Sequence, residues 1–211
     1  MPTLRACLAA AAVLLAAACD EYSANLWVEA QQTPYYWNQN VKVFLVVDST
    51  FLTVDADSAA LLAALHAWPG LGVRVDSARR SRLGLWLVFL HRGTPPEAAG
   101  GAAHALRLLP DIRFASTGFR QQAGSTCGLT LLNRMLVTFQ PSTSPAQIAA
   151  LSANAGLAVI APPDTTRVWW TLRYPVGSQR TPLELAAALA RHPFVASAEP
   201  DRYGCIGPLH G

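Results

Sequence analysis

The stretch TPLELAAALARHPFVASAEPD, residues 181–201, holds a helix, a turn and a strand in one run. Its first four residues place a capping hydroxyl, a proline at the first helical position and a glutamate three residues on, so that side chains can satisfy free backbone amides. Pro193 lies where the helix must already have ended, and β-prone residues follow it. We therefore predict a helix over residues 182–191 and a strand over residues 194–198.

A second capping box begins a helix earlier in the chain, at Ser144-Pro145-Ala146-Gln147. There the serine and the glutamine can each satisfy a backbone amide of the other, and Gly156 marks the helix end. Runs of apolar and β-branched residues supply the neighbouring strands. The predicted elements of this part of the chain are strands 135–139, 157–160, 168–174 and 194–198, and helices 145–155 and 182–191.

The preceding part of the chain repeats this order of elements at an offset of about 83 residues. The matching pairs are Trp86 with Trp169, Leu106 with Leu189, Pro110 with Pro193, Ile112 with Val195, and Ala115 with Ala198. Chance similarity is the alternative in a chain so rich in alanine and leucine, but the shared order favours duplication. The predicted elements are strands 41–47, 73–75, 85–90 and 112–115, and helices 58–68 and 98–109.

The order strand, helix, strand, strand, helix, strand, found twice, predicts an α+β fold of two tandem ferredoxin-like sandwiches with antiparallel sheets. Each sheet should carry both of its helices on one face. The expected domains are a first repeat over 37–121, a linker over 122–131, a second repeat over 132–204 and a C-terminal tail over 205–211.

The N-terminal segment forms a separate unit. Arg5 precedes an apolar run that is too short to span a membrane and is typical of a secretory signal peptide, here residues 1–18. The run ends in three alanines before Cys19, which resembles a bacterial lipoprotein processing site. We expect a lipid on the Cys19 sulfur and a tether over 19–36, which would hold the protein at a membrane of the cell envelope, in the periplasm or at the cell surface. Ordinary cleavage that leaves a plain thiol is the alternative.

Two cysteines, Cys127 and Cys205, remain after this processing. Because an exported pair favours a disulfide, we predict that they are bonded. In the ferredoxin-like topology the first and last strands are antiparallel neighbours, so this bond would join adjacent ends of the second repeat. Two buried free thiols are the alternative.

Composition argues against several classes of function. Only 14% of the residues are charged and the formal net charge is +3. The basic residues are the single Lys42 and arginines scattered along the chain, so we expect no nucleic-acid partner. The histidines lack the spacing of metal ligands and the chain has no phosphate-binding glycine loop, so neither a metal nor a cofactor is expected.

No catalytic triad is expected either, and we predict that the protein is not an enzyme. Asp48-Ser49-Thr50 lacks the glycine that a subtilisin-like aspartate motif requires, and His104 lies in an alanine-rich helix. Gly124-Ser125-Thr126-Cys127-Gly128 has the glycine spacing of a nucleophile elbow, but its central residue is a threonine and it precedes a strand instead of following one.

Residues 133–203 resemble the propeptides of subtilisin-type proteases, in particular the fervidolysin-like prodomain. The matching segments are Met135 to Pro141, Ala146 to Leu151, Ala155-Gly156-Leu157, and the long run from Leu185 to Asp201 with its His-Pro-x-Val-x-x-Ala-Glu-Pro-Asp ending. The resemblance implies a small α/β sandwich that covers its protease with a sheet face, threads the following tail into the active-site cleft, and acts as a folding template and an inhibitor.

The same resemblance implies which residues meet the partner. The tail would be residues 199–204. Strand alternation would place aromatic, hydroxyl and arginine side chains on the open face of the sheet, away from the helices. The partner-binding residues expected on these grounds are Trp169, Thr171, Arg173 and Thr138 on the open face, and Glu199, Pro200, Asp201 and Tyr203 in the tail.

The aligned face of the first repeat would hold Trp86, Val88 and Leu90, with Lys42, Phe44 and Val46 on the next strand. These residues are too apolar for a face left in water. We expect the face either to pack on the other repeat or the tether, or to bind a partner.

The leading hypothesis is an exported lipoprotein that binds, inhibits or chaperones a separate subtilisin-type serine protease. One alternative is a non-enzymatic structural or interaction module of the cell envelope, and another is a remnant of a protease precursor.

Overall fold

A computed structural model describes residues 34–38, 41–66, 73–121, 125 and 128–206, with the backbone alone described at 35–38, 41–42 and 205–206. Over these ranges the chain forms ten strands and four helices, and all strand pairs are antiparallel. The predicted α+β class is confirmed. The described residues from Tyr35 onward belong to one compact unit.

The elements fall into a hairpin and two halves. The hairpin consists of β1 (Tyr35–Asn38) and β2 (Val41–Phe44). The first half consists of β3 (Val46–Asp55), α1 (Ser58–His66), β4 (Val75–Arg80), β5 (Trp86–Leu90), α2 (Pro96–Arg107) and β6 (Phe114–Arg120). The second half consists of β7 (Gly128–Phe139), α3 (Pro145–Asn154), β8 (Ala158–Ala161), β9 (Trp170–Arg173), α4 (Pro182–Ala190) and β10 (Val195–Ile206).

One eight-stranded sheet runs through both halves. Its order is β4-β5-β3-β6-β7-β9-β8, and β10 pairs with β7 as well. The halves are joined where Phe119 of β6 is the partner of Leu129 of β7. The long strand β7 therefore has β10 along one edge, and along its other edge first β6 and then β9.

Each half buries its own pair of helices against its own strands. In the first half, apolar residues of α1 and α2 pack on Leu52, Val54, Val88 and Leu90. In the second half, α3 and α4 pack on Met135, Val137, Leu172 and Ala198. Because alternate strand residues point to opposite sides, these positions identify the helix-covered face of each part of the sheet.

Local signals in the sequence are present where they were predicted. Ser144 and Gln147 form a capping box at the start of α3, and Thr181 and Glu184 form another at the start of α4. Gly156 has a φ of +69° just after α3, a conformation that favours glycine and ends a helix.

Strand boundaries differ more from the predictions. The predicted strand 41–47 is divided between β2 and β3, and β3 continues through the polar Asp48-Ser49-Thr50 to Asp55. A register shift against β6 accommodates these residues, and Asp48 accepts hydrogen bonds from the Thr50 amide (3.1 Å) and hydroxyl (2.6 Å). A segment that looked like the end of a strand is thus an irregularity within one.

The second half begins and ends beyond its predicted strands. β7 starts at Gly128, inside the predicted linker 122–131, because its Leu129, Leu131 and Leu132 are buried. β10 continues to Ile206, past the predicted end of its strand at 198. Cys19 and Cys127 lie outside the described residues, as does the side chain of Cys205. None of the helices in the described ranges is long and apolar enough to cross a membrane.

Candidate binding surfaces

The second half has a sheet face that points away from its helices. Register places Leu136 opposite both Thr171 and Glu199, Arg134 opposite Arg173, and Thr138 opposite Ser197. Their neighbours Met135, Val137 and Leu172 lie in the helix-covered core. We call this set the open face: Arg134, Leu136, Thr138, Thr171, Arg173, Ser197 and Glu199.

Three residues predicted for this face, Thr138, Thr171 and Arg173, do share it. Arg173 is exposed and Thr138 is half-buried, but only 7% of Thr171 is accessible to solvent, between Leu136 on one side and Ala161 of β8 on the other. Thr171 therefore offers little contact area.

Trp169, the fourth residue predicted for the open face, lies one position before β9 begins and is half-buried rather than exposed. The predicted alternation ran through residues 168–174, but the observed strand covers only Trp170 to Arg173. Sequence alternation assigns faces only inside a strand, so it gives no face to Trp169.

Residues 199–204, predicted to be a tail, are part of β10. Glu199 is the partner of Leu136, Pro200 of Met135 and Tyr203 of Thr130. Pro200 is buried, whereas 48% of Tyr203 is exposed. In this structure the segment is paired with β7, which is long enough to accompany β10 as far as Ile206. Its insertion into a protease cleft stays a prediction.

The two carboxylates predicted for the tail are held by arginines. Asp201 lies 2.6 Å from Arg134 of β7, and Glu199 lies 2.9 Å from Arg202. Arg134 also stands directly opposite Arg173, so Asp201 offsets the repulsion expected between like charges on adjacent strands. Alternation in β7 would have found Arg134 and Leu136, since they lie four and two residues before Thr138, the expected open-face residue of this strand.

The face predicted for the first half is assigned to the wrong side. Trp86, Val88 and Leu90 lie against the helices, not away from them. Trp86 and Trp170 occupy equivalent positions in the two cores, and so do Val88 and Leu172. The members of each pair are one residue further apart than the offset of about 83 that the sequence predicts. Because neighbouring residues of a strand point to opposite faces, an alignment that is shifted by one residue assigns every side chain of the strand to the wrong face.

The face of the first half that does point away from the helices is covered by the second half. Phe51, Thr53 and Leu87 on this face are buried, and the hydroxyls of Thr53 and Thr130 lie 3.1 Å apart. Asn133 donates its side-chain amide to Asp55 at 2.5 Å. The second half therefore contacts this face at Thr53 and Asp55, whereas the expected alternatives concerned Trp86, Val88 and Leu90, which the helices cover.

A buried arginine adds to this junction between the halves. Arg107 of α2 donates to the carbonyl of Ala115 (3.0 Å) and to that of Ser178 in the second half (3.3 Å). Burial lowers the pKa of Arg107, since removal from water disfavours its charge. Burial likewise raises the pKa of Tyr174, whose ring packs edge-on against Phe114 with centroids 5.3 Å apart.

A basic cleft opens beside the same junction. It has a volume of about 340 Å³ and lies between the β4–β5 hairpin of the first half and the strands β7 and β10 of the second. We call it the arginine cleft; it is lined by Arg79, Arg80, Ser81, Arg82, Leu83, Leu85, Leu87, Thr130 and Tyr203. In the sequence, this cleft corresponds to the short basic run Arg79-Arg80-Ser81-Arg82, so the arginines are not all scattered along the chain as predicted.

Strand β8 presents an apolar edge. It pairs with β9 on one side and is the last strand of its sheet, with 49% of Val159 and 42% of Ile160 exposed. An edge strand offers unpaired backbone donors and acceptors to another chain, and exposed apolar side chains strengthen such pairing.

The residues weighed as catalytic candidates have structural surroundings where they are described. Besides Thr50, Asp48 binds Arg120, with 2.7 Å between the carboxylate and the guanidinium. His104 is exposed on α2, 3.4 Å from Arg107. Thr126 lies outside the described residues.

The comparisons with known proteins add no family. No protein-family model matches this chain, and no curated protein matches it either.

Proposed function

We propose that this protein is an exported lipoprotein whose second half binds a separate subtilisin-type protease through its open face. The proposal includes the finer fold assignment, in which each half is a ferredoxin-like sandwich of the kind that protease propeptides adopt. No chemistry is assigned to the protein itself, and its contribution is a docking surface.

Strand order supports the fold assignment. Numbered within its own half, each half has its strands in the order second, third, first, fourth. All neighbours are antiparallel and both helices pack on one face, as in the ferredoxin-like arrangement. The contact between strands β6 and β7 then joins two such units edge to edge.

The observation that carries the functional proposal is the position of the propeptide-like residues. Glu199, next to Ala198 in the Ala-Glu-Pro-Asp ending, lies on the open face beside Leu136 and Thr138 of the propeptide-like β7 segment. An apolar residue beside arginine side chains supports this proposal, because arginine is enriched at protein interfaces. Glu199 of the motif and Thr138 of the propeptide-like β7 segment therefore lie on the face that we propose for docking.

The pairing of β10 with β7 supports one mode of protease binding over another. Because residues 199–204 are hydrogen-bonded into the sheet, docking uses the open face and leaves this segment in place. A contact of this kind suits a folding chaperone or a tether for the protease, and active-site inhibition requires that the end of β10 detach from β7.

The docking test uses the full chain with Cys19→Ser, so that no lipid contributes, and a subtilisin-type protease whose nucleophilic serine is replaced by alanine. We expect Arg173→Glu combined with Thr138→Arg to weaken binding by about tenfold or more, as for charged changes at the centre of an interface. Arg92→Glu, an exposed change in the first half, should have no effect. Binding that is absent, or that the two open-face changes leave intact, refutes the proposal.

Export is tested separately at the N-terminus. If Cys19 carries a lipid, the mature protein should begin with an acylated cysteine in mass spectrometry, and Cys19→Ser should release it from membranes. A mature N-terminus with a free amine at Cys19 or at any later residue contradicts this part of the proposal.

The edge of β8 favours a second candidate function, an interaction module of the cell envelope. Exposed Val159 and Ile160 on an end strand suit strand addition by another chain. Under this function, Val159→Lys with Ile160→Lys removes association with an envelope partner, and the open-face changes do not.

A further inference from the structure

We propose that the arginine cleft binds a phosphate group attached to an apolar moiety, as in a phospholipid headgroup. This inference does not depend on protease binding by the open face, because it uses other residues on another part of the molecule. Only the choice of a membrane lipid over free phosphate draws on the proposed lipid anchor, which would keep the cleft near headgroups.

The charge at the cleft is of one sign. Among the described residues, its lining includes three arginines and no carboxylate. Elsewhere in the described ranges, at least six arginines lie within 4 Å of a carboxylate, whereas no described carboxylate lies this close to Arg79, Arg80 or Arg82. Three cations within four residues repel one another, so a bound anion would lower the energy of this arrangement.

Two of these arginines are held in position. Arg79 lies over the ring of Phe89, with its guanidinium carbon 5.2 Å from the ring centroid. Arg80 donates its Nε hydrogen to the Gly84 carbonyl at 3.3 Å. Because Arg80 is the register partner of Trp86, its side chain starts from the helix-covered side of the sheet, and Arg79 and Arg82 are the arginines assigned to the ligand. Guanidinium groups suit phosphate because their donors form a planar fork that binds two oxygens at once.

A buried hydroxyl at the same place lacks a partner. The Oγ atom of Ser81 is buried and makes no hydrogen bond within the described part of the protein, although it lies between Arg80 and Arg82 in the cleft lining. A buried polar group without a partner costs free energy, so the hydrogen bonding of the hairpin loop is incomplete at Ser81.

Apolar residues give the ligand a second chemical character. Leu83, Leu85 and Leu87 line the cleft together with Tyr203 of β10, and 47% of Leu83 is exposed. A volume of about 340 Å³ is at the lower end of small-molecule sites and accommodates a headgroup with the first part of its chains. Arginines beside leucines therefore favour an amphiphilic phosphate over a bare ion.

The experiment uses the full chain with Cys19→Ser and three probes: inorganic phosphate, dihexanoyl phosphatidylglycerol below its micellar concentration, and vesicles of equimolar phosphatidylglycerol and phosphatidylcholine. Calorimetry measures the first two and sedimentation the third. We expect the short-chain lipid to bind more tightly than phosphate. Arg79→Gln with Arg82→Gln should weaken binding of both by about tenfold or more, since each removes charge-assisted hydrogen bonds.

Matched variants separate the cleft from general surface charge. Arg74→Gln with Arg92→Gln removes the same net charge at exposed positions outside the lining and should leave binding unchanged. Leu83→Ser should reduce the preference for lipid without weakening phosphate binding. Thermal unfolding of each variant confirms that it is folded.

Each outcome has one meaning. Equal affinity for phosphate and lipid identifies free phosphate as the ligand and overturns the lipid assignment. Absence of binding to all three probes, or equal loss in the Arg74 and Arg92 control, overturns the site itself. Binding that the Arg79→Gln, Arg82→Gln variant retains in full also overturns the site.

Discussion

Arg107 carries a positive charge into the junction between the two halves. Its guanidinium donates to one carbonyl in each half, at Ala115 and Ser178. Replacing it leaves two acceptors without their charged donor in a place from which water is largely excluded.

We expect Arg107→Gln to lower the free energy of unfolding by about 2–3 kcal/mol, the contribution of hydrogen bonds to a charged group. Arg107→Lys should also destabilise, because an ammonium cannot reproduce the fork that reaches both carbonyls. Urea denaturation measures both. Exposed Arg92→Gln serves as the control and should change the value by less than about 0.5 kcal/mol. A change at Arg107 no larger than this control would show that the two bonds contribute nothing.

Tyr174 makes the stability depend on alkaline pH. Its hydroxyl donates to the Arg180 carbonyl, and burial raises its pKa above the value of about 10 expected for the unfolded chain. Between the two pKa values the unfolded chain loses the proton and the folded protein keeps it. The contribution is therefore complete below about pH 10 and is lost as the pH rises through the folded pKa.

Tyr174→Phe removes this contribution. Urea denaturation at about pH 9 and about pH 11 should show a steeper loss of stability for the wild type than for the variant. Tyr203→Phe, at an exposed position, should follow the wild type. If the free energy of unfolding falls equally in the wild type and in Tyr174→Phe between these two pH values, other groups account for the pH dependence.

At the scale of elements, the two helices of the second half are the best specified. Each begins with a reciprocal capping box, with Ser144 accepting from the Gln147 amide at 3.3 Å and Thr181 accepting from the Glu184 amide at 3.2 Å. In contrast, α2 begins after Pro95, which provides no side-chain cap.

Ser144→Ala and Thr181→Ala should each cost about 1 kcal/mol of stability, because one backbone amide loses its acceptor. Ser142→Ala, in the exposed turn before α3, should have little effect. Thermal unfolding compares the three variants. Equal midpoints would show that water replaces the caps without cost.

Capping and helix ends could be predicted from the sequence because they depend on residues three or four positions apart. Faces of strands could not be predicted as well, because they depend on where pairing starts. The repeat alignment was one residue short at Trp86, and this error alone exchanged the two faces of β5. The helix positions Leu106 and Leu189, aligned at the original offset, are both buried.

In the candidate site, too, some positions could be predicted from the sequence and others could not. Thr138, Thr171 and Arg173 were correctly grouped because they lie inside regular strands. The end of β10 was not foreseen, since Asp201-Arg202-Tyr203-Gly204 has the composition of an exposed segment. What keeps it in the sheet is the length of β7, 128–139, whose first residues had been assigned to a linker.

At the scale of the whole molecule, the predicted bond between Cys127 and Cys205 can be placed by its neighbours in sequence. Gly128, which follows Cys127, is the register partner of Ile206, which follows Cys205. At the described end of this strand pair, each of the two paired residues thus immediately follows one of the cysteines in sequence.

If the bond forms, Cys205→Ser should lower the stability of the oxidised protein by about 4 kcal/mol, the entropy of closing a loop of this length in the chain-entropy model. The same substitution should change nothing under reducing conditions. Thiol titration of the denatured Cys19→Ser chain gives an independent measurement, and reactive thiols at both Cys127 and Cys205 would contradict the prediction.

The way β7 and the end of β10 complete the first half has a consequence for how the protein is made. A ribosome delivers residues 46–120 before either strand, so Thr53 and Leu87 lack their neighbours Thr130 and Tyr203 while the rest of the chain is still being synthesised. At about 5–20 residues per second this interval lasts several seconds. During that time the nascent first half is a client for chaperones. A ribosome that stops before Ile206 leaves a fragment whose apolar sheet face is exposed and prone to aggregation.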